Sequence, residues 1–401
     1  MSEASSPAST LPARRLAISL GVVQLLSWAT SFYVPAVIVG TAAAELGAST
    51  ALLMGGFSWA LLITGLSAPR IGRWIGRHGG RGVLAASTLV LALGLALLAA
   101  AQGPAGWFLA WSVLGMGMAL GLYDAAFATA GTLLGQGVAP AITGISLLGG
   151  FASTLGWPAG TALLDVVGWR GTLLAYAAIQ LLVNLPLILW AVPRADPVAT
   201  ARATAVAADA GPIGLRRLML LCMGSFFTLR WFITSALAAH VLPLMSGLNL
   251  TTSQAMAAAM LIGPGQVIGR LLEWGLASRI GVLWRARLGA LLFPLGAVLL
   301  LTGSPYGAFG FTLLYGMSNG ILTINRGTLP MLVFGSRGYA ALLGWLAMPV
   351  VLAQAAAPTL AAPIIEALPA ADLLVLAGCV AGLGAVLLLP LRARRANAMA
   401  E

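Results

Sequence analysis

The sequence predicts an all-α polytopic membrane protein, and three observations predict it. Of 401 residues, 60% are hydrophobic and only 8% are charged, too few charges to cover the surface of a water-soluble protein of this length. The mean hydropathy of +0.98 comes from apolar runs of roughly 20 residues or more, the length a helix needs to cross the hydrocarbon core, whereas a membrane barrel reads as short alternating strands. The basic residues gather at the ends of those runs rather than along one face. That placement makes the lipid bilayer, and not nucleic acid, the partner implied by the net charge of +11.

Residues 1–15, MSEASSPASTLPARR, are polar and read as a cytoplasmic tail. The first apolar run is too long for the core of a signal peptide and lacks a small-residue cleavage site, so it reads as a retained span. An N-terminal bundle over residues 16–192 is expected to hold spans at 16–40, 48–70, 82–101, 106–133, 141–164 and 171–192. Residues 193–215 are rich in Pro, Ala and Gly and read as a cytoplasmic linker that need not fold. A C-terminal bundle over residues 216–391 follows, with spans at 216–245, 253–276, 287–303, 306–333, 339–365 and 370–391, and residues 392–401 close the chain as a cytoplasmic tail. The expectation is twelve transmembrane helices in two six-helix bundles.

Arginine placement orients the chain. Arg14, Arg15, Arg70, Arg73, Arg77, Arg81, Arg194, Arg202, Arg216, Arg217, Arg279, Arg285, Arg287, Arg337, Arg392, Arg394 and Arg395 fall on one side of the spans, while the other side keeps Arg170 alone among arginines and holds Glu45, Asp165, Glu366 and Asp372. By the positive-inside rule the first side is cytoplasmic, which places both termini inside a multi-pass protein of the cell's inner (plasma) membrane.

The two bundles read as copies. Gly72 and Arg73 align with Gly269 and Arg270, GMALG at 117–121 with GMSNG at 316–320, and Gly144 and Pro158 with Gly344 and Pro358. The offset stays near ~200 residues through all three pairs, as a duplication requires, which makes the bundles pseudo-symmetric and parallel.

At 72–81 the sequence GRWIGRHGGR resembles the signature loop between the second and third helices of the major facilitator superfamily, G-x-x-x-D-R-x-G-R-R. The resemblance extends over the whole chain through the helix number, the basic central linker, the half repeat and the GWR at 168–170. The blocks GLYDAAFA at 121–128 and GGFASTLGWP at 149–158 resemble a bacterial subgroup of efflux-type carriers, some of whose relatives are thought to export arsenite. The resemblance implies the superfamily's fold, a small-molecule substrate moved by alternating access, and a central cavity lined by spans one, four, seven and ten. One departure matters: the signature's acidic position is Gly76 here.

The missing carboxylate directs attention to Asp124, the one acidic residue within the first six expected spans. A carboxylate there must be paired or face a cavity. It is expected to meet Arg73, Arg77 or Arg81 as an inner gate, and to carry the proton that drives transport. Glu273 and Arg326 offer a mirrored gate pair in the second half, with the sign reversed.

Arg230 lies about twelve residues into span seven, too deep to reach either surface easily, and needs water, an anion or a carboxylate. It does not deprotonate, so it can hold an anionic group or bias a neighbouring acid but cannot relay a proton. A purely structural pairing of Arg230 with Asp124 or a backbone carbonyl is the alternative. Helical spacing adds a lining: Gln24, Trp28 and Ser31 on span one; Met223, Phe227, Arg230 and Thr234 on span seven; Tyr315, Asn319, Leu322 and Arg326 on span ten. Arg230, Gln24, Trp28, Asn319 and Tyr315 are the expected cargo contacts, although the aromatic residues serve equally well in helix packing. His240 reads as an interfacial packing residue and His78 as solvated.

No HExxH, GxSxG or phosphate-binding loop is present, Cys222 and Cys379 lack metal-ligand spacing, and no lysine occurs. The sequence therefore predicts no cofactor, no metal, no catalysis and no ATP-driven pump. It predicts a monomeric, proton-coupled secondary transporter, with export preferred over uptake of a small organic anion.

Overall fold

The computed structural model describes residues 7–194 and 213–392, and these are helical almost throughout, with no strand among them. The helices are α1 (Pro7–Ala29), α2 (Val34–Leu46), α3 (Thr50–His78), α4 (Arg81–Ala99), α5 (Pro104–Gly121), α6 (Tyr123–Leu134), α7 (Ala139–Gly149), α8 (Ala152–Ile179) and α9 (Leu185–Ala191). They continue as α10 (Ile213–Ser246), α11 (Thr252–Ala259), α12 (Ile262–Gly275), α13 (Val282–Leu300), α14 (Pro305–Phe334), α15 (Tyr339–Ala367) and α16 (Ala370–Val386). Most of the expected linker and the ends of both tails lie outside the described residues, while α1 begins within the expected N-terminal tail.

Local chemistry sets these boundaries. The Ser49 hydroxyl accepts from the Leu52 amide to start α3, Thr251 and Gln254 form a reciprocal capping box at α11, and Ser304 caps α14. Proline occupies the first turn of α2, α5, α7 and α14, where its missing N–H has no helical partner to lose.

Eight stretches among the described residues are long and apolar enough to cross a membrane. One of them, Pro104–Ala191, runs for 88 residues, several times the ~20 that a single crossing needs. Its chain is interrupted by an extended Leu122, by the tight turn Gly135–Val138 and by Gly168, whose φ of 68° only glycine adopts readily. α14 is long enough but holds Asn319, Asn325 and Arg326, and α16 has only 17 residues.

The chain divides into two compact units, one of Met1–Thr204 with Ala340–Ala355 and the other of Ala205–Tyr339 with Ala356–Glu401. In the first unit α3 and α4 pack most extensively on α5; in the second, α12 and α13 pack on α14. In each unit two neighbouring helices thus pack on the helix that follows them. The first core gathers Leu53, Trp107, Trp111, Leu95 and Leu173, with Trp107 Nε1 donating to the Leu53 carbonyl at 2.9 Å. The second gathers Met245, Phe293, Leu300, Phe311 and Tyr315, the last two rings stacked at 5.8 Å. Large apolar side chains such as Leu182, Leu221 and Met260 remain exposed, as a lipid-facing surface requires.

In the first unit the opening half of α15 lies against α3. Gly72 and Gly344 have no room for a Cβ, which would run into the other helix's backbone, so the signature glycine is there for close helix approach. At another corner of this unit Arg170 pairs with Glu45 at 3.0 Å and donates to the Ala99 and Ala101 carbonyls, and Trp169 Nε1 donates to Glu45 Oε2 at 2.6 Å. One arginine thus ties the ends of α2 and α4 to α8.

Candidate functional site

In the first unit the site is built around a helix break. α5 ends at Gly121, Leu122 is extended with ψ of −171°, and α6 starts at Tyr123. The break leaves the Gly121 carbonyl without its helical partner, and Gln24 Nε2 supplies the hydrogen bond at 2.7 Å. Gln24 Oε1 in turn accepts from Trp28 Nε1 at 3.2 Å. Both ends of the fully buried Gln24 amide are thus used inside the protein, where they hold the break. Trp28 is half-buried, with its ring 4.7 Å from Phe32 and 5.0 Å from Tyr123.

The break places Asp124 in the first turn of α6, half-buried. It is the one ionisable group in the wall of a small cavity otherwise lined by Ala68, Ile71, Gly72, Ile75, Ala119, Ala125, Ala128, Ala340 and Gly344. The cavity holds about 10 Å³, room for roughly one water molecule. Ile71, Gly72 and Ile75 come from the helix that also carries Arg73 and Arg77, but these arginines are directed elsewhere. Arg73 lies over the Trp345 ring at 5.9 Å, Arg77 is exposed, and Arg81 at the start of α4 is half-buried.

The second unit holds Arg230, which is 3% exposed. Its Nη1 donates to Thr234 Oγ1 at 2.5 Å, and its Nη2 to Asn319 Oδ1 at 2.6 Å and Ser318 Oγ at 3.2 Å. The guanidinium carbon lies 5.2 Å from the Phe293 ring and 5.4 Å from that of Tyr315, within the range of cation–π attraction. The structure therefore brings Arg230, Asn319 and Tyr315 together, with Thr234 from the stripe read on span seven. The expected pairing of Glu273 with Arg326 is replaced by an ion pair from Glu273 to Arg285, 3.0 Å between Oε1 and Nε. The reason is helical register: Asn325 is buried and turned inward, while Arg326, one residue on and about 100° around the helix, lies over Trp231 at 5.5 Å.

Several participants escaped the sequence reading. Ser318 and Phe293 complete the surroundings of Arg230, and Arg285 read as a topology arginine because it opens a span. The amides of Gln180 and Asn184 form a buried ladder on a π-helical turn: Gln180 donates to Thr30 Oγ1 at 2.7 Å and Asn184 to Ser27 Oγ at 3.1 Å. Two amides inside an apolar run were the available signal, the same one that picked out Gln24. The break itself gives a prediction. Gln24→Leu orphans the buried Gly121 carbonyl and is expected to cost about 1–3 kcal/mol, read as a lowered unfolding midpoint in detergent. An unchanged midpoint would remove Gln24 from this role.

Apolar stretches long enough to cross a bilayer, carrying large apolar side chains on their outer surface, define a multi-pass membrane protein. The family model of the Major Facilitator Superfamily matches residues 17–358. The chain belongs to that superfamily, whose members are membrane transporters and not enzymes. The human organic anion transporter MFSD10 (TETRAN) is similar in fold, with a TM-score of 0.70 at 20% identity, covering 94% of this chain and 99% of that one. The proton:xylose symporter XylE, solved with 6-bromo-6-deoxy-D-glucose, matches with a TM-score of 0.71 at 14% identity over 95% of each chain. No curated protein matches the sequence.

Proposed function

We propose that this chain is a proton-coupled secondary transporter that exports a small molecule by alternating access. In this reading it acts as a monomer with twelve transmembrane helices in two pseudo-symmetric bundles, residues 16–192 and 216–391, in the inner (plasma) membrane with both termini cytoplasmic. Membership of the superfamily supports transport, and the bacterial efflux-type resemblance of residues 121–128 and 149–158 supports export of arsenite or a small organic compound. The observation that carries proton coupling is Asp124, a carboxyl group in the wall of a cavity with room for one water, otherwise lined by uncharged residues. A group that is charged when empty and neutral when loaded suits a proton carrier inside a membrane. Asp124 also acts as a gate residue beside the helix of Arg73 and Arg77, with Arg81 at the start of the next helix. Cargo contacts Arg230, Asn319 and Tyr315.

The second reading is uptake of a small organic anion together with protons, favoured by the buried charge of Arg230. Two measurements separate the readings. Cells lacking other carriers and expressing the chain gain resistance to arsenite or toxic organic compounds if it exports, and gain growth on an organic acid if it imports. In proteoliposomes, an imposed pH gradient drives flux of whichever cargo that screen identifies; flux indifferent to the gradient would sink proton coupling.

A further inference from the structure

Arg230 is a permanent charge that the second unit encloses without neutralising. It is 3% exposed, and its hydrogen-bond partners are a threonine hydroxyl, a serine hydroxyl and an amide oxygen, all uncharged. Among the described residues no carboxylate reaches the guanidinium, and its Nε has no hydrogen-bond partner. A buried cation in that condition carries a large desolvation cost, which cation–π contact with the Phe293 and Tyr315 rings offsets only in part. The alternative role of structural pairing with an acid finds no support in these contacts.

The arrangement of the neutral partners points to what is missing. Thr234 Oγ1 and Asn319 Oδ1 each take a hydrogen bond from a different terminal nitrogen of the guanidinium, at 2.5 and 2.6 Å, and lie 3.3 Å from each other. Two acceptor oxygens side by side on the Nη1–Nη2 edge occupy the ground that the two oxygens of a carboxylate take in a bidentate arginine pair. Both belong to half-buried side chains, whereas Ser318, behind them, is fully buried and fixed by donating to the Gly289 carbonyl at 2.7 Å. The half-buried oxygens are the ones an arriving group can displace.

We infer that the Arg230 edge framed by Thr234 and Asn319 is a binding site for a single carboxylate, with the buried Phe293 and Tyr315 rings holding the guanidinium in place. The cargo is then a monocarboxylate. One guanidinium among neutral groups balances one negative charge, and its planar fork fits a planar oxyanion. This rests on reading the chain as a carrier, and holds for either direction of transport.

The test uses the purified full-length chain in lipid nanodiscs, its thermal unfolding followed by tryptophan fluorescence, with benzoate and hexanoate as probes and benzamide and hexanamide as uncharged isosteres. The carboxylates are expected to raise the melting temperature in a saturable way and the amides to leave it unchanged. Arg230→Gln should weaken the carboxylate response at least tenfold, and Arg230→Lys should weaken it less, since it keeps the charge and loses the fork. Asn319→Asp guards against an unfolded Arg230 variant: it places a carboxylate on the edge itself, so it should raise the melting temperature without ligand and remove the response to benzoate. The inference is overturned if neither carboxylate shifts unfolding, if the amides shift it equally, or if Asn319→Asp leaves the benzoate response intact. Benzoate binding without flux under a pH gradient would sink proton coupling and leave this site standing. Proton-driven flux of a cargo that is indifferent to Arg230→Gln would do the reverse.

Discussion

Asp124→Asn is expected to abolish the pH-gradient-driven part of transport in proteoliposomes while the chain stays folded. The substitution keeps the shape of the side chain and fixes it in the uncharged form, so the cavity beside α3 and α15 keeps its filling and loses only the ability to exchange a proton. Losing the exchangeable proton removes the coupling itself, so flux under an imposed pH gradient should fall to the level seen without one. Cargo exchange across the membrane without a gradient should survive, because exchange needs no net proton movement. This contrast separates the two roles assigned to Asp124. A residue that serves only as a gate clamp would alter exchange and gradient-driven flux together and leave the pH dependence in place. Full retention of that dependence in Asp124→Asn would therefore end the proton role. The conservative Asp124→Glu is expected to be impaired as well, since the cavity of about 10 Å³ has no space for a further methylene beyond roughly one water.

The helical, membrane-spanning character was legible because it depends on the length and apolarity of each run, which are local properties. Gly72 and Gly269, matched in the sequence, each sit where a Cβ would meet the backbone of a neighbouring helix, because close helix approach demands glycine. The surroundings of Arg230 were partly legible for the same reason: Thr234 follows it by one turn, and Asn319 and Tyr315 share a face of α14. Contacts that depend on how far a helix is rotated were not. Periodicity put Arg326 on the face of Tyr315 and Asn319, yet the buried inward position belongs to Asn325, and the carboxylate of Glu273 meets Arg285 from the next helix. Gln24 was found for the right reason, a buried amide needing a partner, but the partner is the backbone at Gly121. No pattern of side chains announces a break at Leu122, because the glycine before it reads equally as a packing residue. The same limit hid Arg285, where a charge opening a span satisfies the topology rule so well that a buried partner is not sought.

Glu273→Gln is expected to destabilise the second unit by about 3–5 kcal/mol, the usual cost of removing one partner of a buried ion pair. Glu273 is 2% exposed, Arg285 6% and Arg270 4%, so the cluster already holds two buried cations against one carboxylate. Arg270 finds only Gln266 Oε1, at 3.4 Å, and its Nε and Nη1 have no hydrogen-bond partner. The Glu273–Arg285 contact at 3.0 Å is close, but its atoms are not aligned as a hydrogen bond, so attraction between the charges carries most of its value. Neutralising Glu273 leaves Arg285 uncompensated while Arg270 stays buried one helical turn away, which is why the loss should be large. The same bookkeeping assigns Arg270→Met the opposite sign: it removes the cation with no carboxylate of its own and should be neutral or stabilising. The double variant Glu273→Gln/Arg285→Gln should recover part of the loss, since neither charge is then stranded by the absence of the other. Unfolding of the four proteins in one detergent decides it. If Glu273→Gln costs no more than an exposed substitution, within about 0.5 kcal/mol, the carboxylate is solvated and the cluster is not a buried charge network. If Arg270→Met is as costly as Glu273→Gln, then Arg270 rather than Arg285 is the carboxylate's working partner.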